Sequence, residues 1–98
     1  MLYMSKSVLY NLPVIITKQN SSFVAYSPAL DISTSARSPK KVKQRFVELA
    51  AIFIEEILEA GTIKEVLSEL GWKKIQKVWS PPKVVSSDSI GIQIPVTV

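Results

Sequence analysis

The spacing of hydrophobic positions changes along this chain and divides it into elements. From Leu12 to Thr17 the run LPVIIT is apolar and β-branched; a polar cluster, Lys18 to Ser22, interrupts it before FVAY begins at Phe23. This predicts two strands joined as a hairpin across Asn20-Ser21, a plausible turn without the Asn-Gly signal. Pro28 stops the second strand, and LDIST, from Leu30 to Thr34, alternates apolar and polar as a half-buried third strand does. The first eleven residues are ambiguous: Val8 to Leu12 lengthens the first strand only if Pro13 sits at an edge or a bulge.

The period then switches to helical. Ser38-Pro39 is a helix start, because Ser caps free backbone N–H groups and Pro suits the first helical position. Val42, Phe46, Leu49, Ala50, Phe53 and Ile57 cluster on one side of the helix that follows and are expected to cover the sheet. A second stripe, Val47, Ala51, Ile54 and Leu58, widens the apolar arc to about twice what one packed face needs. The helix therefore calls for two apolar neighbours. Val47, Ile54 and Leu58 are expected to be buried against the short helix that follows, another subunit, or both.

Ala60-Gly61 ends the long helix, since Gly accepts the left-handed conformation found after a helix C-terminus. Thr62-Ile63-Lys64-Glu65 reads as a capping box opening a short helix that runs to about Leu70 and closes at Gly71. Trp72 and Trp79 bracket the basic stretch WKKIQKVW, and Ser80-Pro81-Pro82 imposes extended backbone. Ile90, Ile92, Ile94, Val96 and Val98 alternate with Gly91, Gln93, Pro95 and Thr97, which predicts a late strand, with Pro95 marking it as an edge. It either extends its own sheet or pairs with a neighbour's edge. Strands followed by helices make an α+β fold: an antiparallel sheet of three N-terminal strands plus a late C-terminal strand, with one long and one short helix on one face. A single domain spans residues 1–98, with its core in 12–79 and an extended tail in 80–98.

Composition narrows the chemistry. His and Cys are both absent, which removes imidazole bases, thiol nucleophiles, disulfides and the usual zinc ligands. No serine or threonine has a base partner, and the glycines form no phosphate-binding loop. The predicted strands offer only Asp31 and Asp88, while Glu48, Glu55 and Glu59 fall on the polar arc of the helix, too few converging carboxylates for a metal nuclease. No catalytic residue, metal or cofactor is therefore expected. The N-terminus lacks the features of a signal peptide, and the longest apolar run, Leu49 to Ile54, is far short of a membrane span, so a cytoplasmic protein is expected. The absence of Cys and the abundance of Ile, Lys and Glu suit a thermophile.

The net charge of +4 fits either solubility or contact with nucleic acid or an acidic protein surface, and its distribution is more informative. Between Arg37 and Arg45 there are five basic residues and no acid. These sit at the N-terminal end of the long helix, where the macrodipole favours acids instead. A phosphate or a partner carboxylate there would gain from the side chains and the free N–H groups together. Lys73, Lys74, Lys77 and Lys83 form a second basic segment. Interleaved with Trp72 and Trp79, it is a candidate grip on single-stranded nucleic acid. Against that, Trp72 follows a helix cap directly and is expected to fold back over Leu67 and Leu70.

Two stretches carry a family resemblance. YSPALDISTSARSPKKVKQRF, from Tyr26 to Phe46, and EEILEAGTIKEVLSELGW, from Glu55 to Trp72, together with LPVIITK, resemble the HicB family of antitoxins over roughly Leu12 to Trp79. The resemblance implies a partial ribonuclease H-like fold without nuclease residues. It also implies an oligomeric protein that neutralises a small HicA-type, RNA-cleaving toxin by covering its active site. Two departures stand out. Where family members often carry a C-terminal DNA-binding domain, this chain has an extended tail and one strand. Where they often have Gly-Asp and acids at the helix start, it has Ala36-Arg37 and Lys40-Lys41. Pro28, Asp31, Arg37, Lys40, Lys41 and Arg45 are the candidate partner-binding residues. A stand-alone, oligomeric nucleic-acid-binding protein using Lys73, Lys74, Lys77 and Lys83 is the alternative, and a structural or adaptor oligomer the third.

Overall fold

The computed structural model of the chain describes residues 8–97. Three strands, β1 (Ile15–Gln19), β2 (Ser22–Ser27) and β3 (Ile32–Ala36), form an antiparallel sheet in the order β1-β2-β3. They are followed by α1 (Pro39–Glu59), α2 (Ile63–Glu69) and a separate hairpin, β4 (Lys73–Ile75) with β5 (Val78–Ser80). The fold is α+β, as the period switch predicts. No helix among the described residues is long and apolar enough to cross a membrane.

The register gives each strand one face toward α1. Pairing of Ile16 with Ala25 and of Ala25 with Thr34 places alternate residues of the three strands under the helix. Asn20-Ser21 is the predicted hairpin turn, with Asn20 at φ 56°, a conformation Asn adopts more readily than most residues. The third strand begins later than predicted. Leu30 lies in the loop and is buried, and Asp31, at φ 54°, reverses the chain before Ile32 pairs with Ser27.

At the start of α1, the Ser38 hydroxyl accepts a hydrogen bond from the Lys41 N–H at 3.0 Å and Pro39 opens the first turn. A cap of this kind contributes about 1 kcal/mol. Val42, Phe46 and Ile57 of the predicted sheet-facing stripe are buried, and Leu49, Ala50 and Phe53 are half-buried. Both helices end in the same way. The Thr62 N–H bonds the Ile57 carbonyl and the Gly61 N–H bonds that of Leu58; Trp72 and Gly71 repeat the pattern on Leu67 and Ser68. These are Schellman motifs, and Gly61 (φ 71°) and Gly71 (φ 93°) occupy the left-handed position.

The first motif overturns the predicted capping box. Thr62 is committed to closing α1, its φ of −109° and ψ of 11° lie outside the extended region a capping residue needs, and its side chain makes no cap bond. The second motif turns Trp72 back into the core, as expected, beside Ala29, Leu30, Ile57 and Leu67. Its indole N–H donates to the Ala29 carbonyl at 2.8 Å. Its ring meets that of Tyr10 edge-on, with centroids 5.5 Å apart. The Tyr10 hydroxyl in turn donates to the Trp79 carbonyl, so the packed body extends to Tyr10. A second cluster, Ala25, Ala36, Val42 and Phe46, lies toward the other end of the sheet, and Ile32 and Ala50 touch both. The buried hydroxyl of Ser27 has no hydrogen-bond partner among the described residues.

The late strand is the principal correction. Residues 81–97 contain no strand, and Val98 lies outside the described residues. The strands after α2 are instead β4 and β5, joined by Gln76 (φ 50°) and Lys77 (φ 67°). Positive φ at both central residues defines the turn type that matches strand twist, normally built from Asn-Gly. Nothing in WKKIQKVW announces it, because cross-strand pairing has imposed the turn on unsuited residues. Ile90, Ile92, Ile94 and Val96 remain exposed. The radius of gyration is 16.9 Å, against about 13 Å for a compact domain of this size, and the long axis reaches 64 Å. Lys83 and Val84 still line a recess with Pro13, Pro28, Ala29 and Leu70.

Two stability measurements check this account. Trp72→Phe removes the donor but keeps an aromatic ring, leaving the Ala29 carbonyl buried and unpaired, and should cost about 1–3 kcal/mol in denaturant unfolding. A loss below the error of the measurement would show that the bond is not limiting. Lys77→Gly relieves one left-handed non-glycine residue and should raise stability by roughly 1 kcal/mol, whereas a loss would mean that the turn is not formed in solution.

Candidate interaction surfaces

The six residues singled out as partner-binding divide between the two ends of the sheet. Pro28 and Asp31 lie in the loop joining β2 to β3, whereas Arg37, Lys40, Lys41 and Arg45 gather where β3 passes into α1. The five residues of β3 separate the groups by about 15 Å. All six are exposed.

At the loop end, the Tyr26 hydroxyl donates to Asp31 Oδ1 at 2.9 Å. This contact spans the loop and holds Asp31 in its left-handed conformation, which the Asp31 N–H to Ser27 carbonyl bond at 2.8 Å also supports. The Tyr26 pKa is raised, first because its proton is engaged by the carboxylate, then by partial desolvation and by the negative charge of Asp31.

At the other end, the first turn of α1 contains no acid. The Arg45 guanidinium is not free. It donates to the Ser35 carbonyl at 3.0 Å and so fastens α1 to an edge strand. Arg37, Lys40 and Lys41 project without such a bond among the described residues. The sheet adds a cation that the linear pattern hid. Lys18 lies in register with Phe23 and Ala36, and its ammonium sits 5.9 Å from the Phe23 ring centroid. Only the pairing across β1, β2 and β3 reveals that Lys18 belongs with this basic end.

Between the two ends lies the sheet face turned away from α1. Ile15, Thr17, Tyr26, Ser33 and Ser35 are exposed on it, and Val24 is half-buried. Ile15, Tyr26 and Ser33 form one cross-strand row, and Thr17, Val24 and Ser35 the next. This mixed apolar and hydroxyl surface connects the two groups of partner candidates.

The second stripe of α1 divides differently. Ile54 packs against the cluster around Trp72, but Val47 and Leu58 are 68% and 56% exposed. Among the described residues, the neighbour required for this stripe is thus supplied only for Ile54. A recess of about 490 Å³ opens beside it, lined by apolar residues that include Leu12, Ala51, Ile54, Ile63 and Trp79. It continues along α1 into smaller recesses lined by Leu12, Val14, Ile16, Lys43, Phe46 and Val47.

The basic hairpin is also split. Lys73 and Lys83 share a recess of about 360 Å³ with Ile75, Pro81 and Pro82. Lys74 lies over Trp79, 5.8 Å from the ring centroid, and pairs with it across the strands. Lys77 is in the turn. Trp79 is half-buried against the core and Trp72 is buried, so the two rings do not form a free stacking platform.

Among the described residues no group of three or more Asp or Glu side chains is placed to hold a metal ion. Comparison with protein-family models, curated protein sequences and solved structures finds no match for this chain.

The Tyr26–Asp31 contact has a defined pH signature. A folded-state pKa above the ordinary value of 10.0 means that the contact contributes stability below that pH and that the contribution disappears as pH rises through the raised value. Asp31→Asn should bring the ionisation of Tyr26 back toward the ordinary range. It is read as the difference between 295 nm titrations with and without Tyr26→Phe; an unmoved titration would mean that the hydrogen bond is not made.

Proposed function

We propose that this chain is a HicB-like antitoxin: a non-catalytic protein that binds a small, HicA-type, RNA-cleaving toxin and covers its active site. The observation that carries the reading is the face of the three-stranded sheet left uncovered by the described residues, bounded at one end by the Pro28–Asp31 loop and at the other by Arg37, Lys40 and Lys41. A partner laid across this face touches both groups at once. The rim then supplies charge and orientation while Ile15, Val24 and Tyr26 supply apolar contact. The resemblance of Tyr26 to Phe46 and of Glu55 to Trp72 to HicB antitoxins supports the same reading, as does the packing of those two stretches into one body around Trp72.

The basic rim makes the expected toxin surface acidic beside its active site. This differs from the usual charge arrangement of the family, which pairs acids at the helix start with a basic toxin. Arg45 is less suited to test the rim, because its bond to Ser35 gives it a structural role.

Co-expression with a neighbouring reading frame that encodes a small RNA-cleaving protein should abolish its toxicity and yield a complex. Reversing Arg37, Lys40 and Lys41 to Glu should then weaken binding by roughly tenfold or more, mainly through association rate and salt dependence. Unchanged affinity in a calorimetric titration would remove the basic rim from the interface, and failure to bind or neutralise the neighbour would end the antitoxin reading.

A further inference from the structure

The hairpin of β4 and β5 has two unlike faces. Lys74 pairs with Trp79 across the strands and Trp79 packs against the core, so this pair marks the inner face. Alternation turns Lys73, Ile75, Val78 and Ser80 to the outer face, where Lys73 pairs with Ser80 and Ile75 with Val78. All four are exposed, Ile75 by 60% and Val78 by 48%. The chain then passes through Pro81 and Pro82, and Lys83 lines the same recess of about 360 Å³ as Lys73, together with Ile75, Ser80, Pro81 and Pro82. Two cations far apart in the sequence of the basic segment thus share one concave surface.

No acid lines this recess. Two ammonium groups held on one recess repel each other, and an anion placed between them replaces that repulsion with attraction. The described residues do not supply it. Asp88 is the one acid after Glu69, and its carboxylate accepts from the Ser86 hydroxyl at 2.6 Å. The kind of anion follows from the other lining groups. Phosphate sites are built on several backbone N–H donors, and Pro81 and Pro82 bring none. The bases of a nucleic acid need free aromatic rings, whereas Trp72 is buried and Trp79 half-buried. Ile75, Pro81 and Pro82 offer aliphatic contact beside the charges instead, and Ser80 adds a hydroxyl. A carboxylate with an aliphatic neighbour fits this set.

We propose that this recess binds an acidic, extended peptide segment of a partner protein, with carboxylates on Lys73 and Lys83 and an aliphatic side chain against Ile75 and Pro82. Alternate residues of an extended peptide share a face, so an acid, an aliphatic residue and a second acid at every other position present the three groups together. The second basic segment is thereby divided by role. Lys73 and Lys83 bind, whereas Lys74 stays over Trp79 and Lys77 forms the turn. The inference does not rest on the toxin reading, because none of Pro28, Asp31, Arg37, Lys40, Lys41 and Arg45 lines this recess.

Fluorescence anisotropy with a labelled Glu-Ser-Val-Ser-Glu peptide and the full chain should show saturable binding that weakens as salt rises. Lys73→Ala with Lys83→Ala should weaken it by roughly tenfold or more, and Ile75→Ser by about three- to fivefold. Lys43→Ala with Lys64→Ala removes the same net charge elsewhere and should leave binding within about twofold. All five side chains are exposed, so the thermal melts should stay those of the wild type. Replacing both glutamates of the peptide by glutamine should abolish binding. No saturation at millimolar peptide would overturn the proposal, as would an equal loss in the Lys43 and Lys64 variant, which would reduce the effect to net charge. Tighter binding of an oligothymidine that depends on Lys73 and Lys83 would assign the recess to nucleic acid, and glutarate binding as tightly as the peptide would assign it to a small dicarboxylate. Either result rejects the peptide.

Discussion

The hydrogen bond from the Trp72 indole to the Ala29 carbonyl joins the two halves of the fold. Ala29 lies in the loop between β2 and β3, where no ladder partner is available for its buried carbonyl, and Trp72 lies 43 residues further on, after α2. Leaving that carbonyl unpaired would cost more than the bond itself contributes, so the indole must be in place for the loop to be buried at all. Its position depends on the backbone before it. Gly71 takes the left-handed conformation that closes α2 and turns the next residue onto Leu67. Tyr10 then meets the ring edge-on, and the hairpin of β4 and β5 is held through Trp79. A single left-handed glycine thereby decides where the first strands, the helices and the late hairpin meet.

The same packing explains which surfaces are left over. α1 carries more apolar residues than one sheet face can cover, and α2 is too short to cover the remainder. It buries the end near Ile54 and leaves Val47 open on one side and Leu58 on the other. Among the described residues the sheet has three strands, so it keeps an open edge at β1 and an open face opposite the helix. These two surfaces differ in character. The trough beside α1 is mostly apolar, with Lys43 and Asn11 at its border, whereas the outer face mixes hydroxyl, aromatic and aliphatic side chains between charged ends, which suits a separate protein partner. The basic start of α1 opposes the helix dipole, and among the described residues only Arg45 recovers a partner, at Ser35.

Where the reading of the sequence succeeded, the signals were local. Ser38-Pro39 capped α1, Gly61 and Gly71 terminated the helices, and the stripe from Val42 to Ile57 turned inward. It failed where one residue had two claims on it or where pairing overruled local preference. Thr62 has the right neighbours for a capping box, but closing α1 uses its backbone first. Gln76 and Lys77 are poor residues for their turn, yet β4 and β5 hold them in it. Ile90 to Val96 has a strand's alternation, but alternation specifies a face, and a strand also needs an edge to pair with.

The candidate surfaces were legible only in part for the same reason. Counting charges located Arg37 to Arg45, and helical periodicity located Val47, Ile54 and Leu58. Neither could show that Pro28 and Asp31 lie at the opposite end of the sheet from the basic cluster, that Lys18 joins that cluster across the strands, or that Ile54 is consumed internally while Val47 is not. The sequence by itself determined the order and type of the main elements and the residues each turns toward the core, because caps, turns and periodicity act within a few residues. Only the tertiary structure decided which strands found partners and which apolar and charged residues share a surface, because those outcomes depend on contacts between segments tens of residues apart.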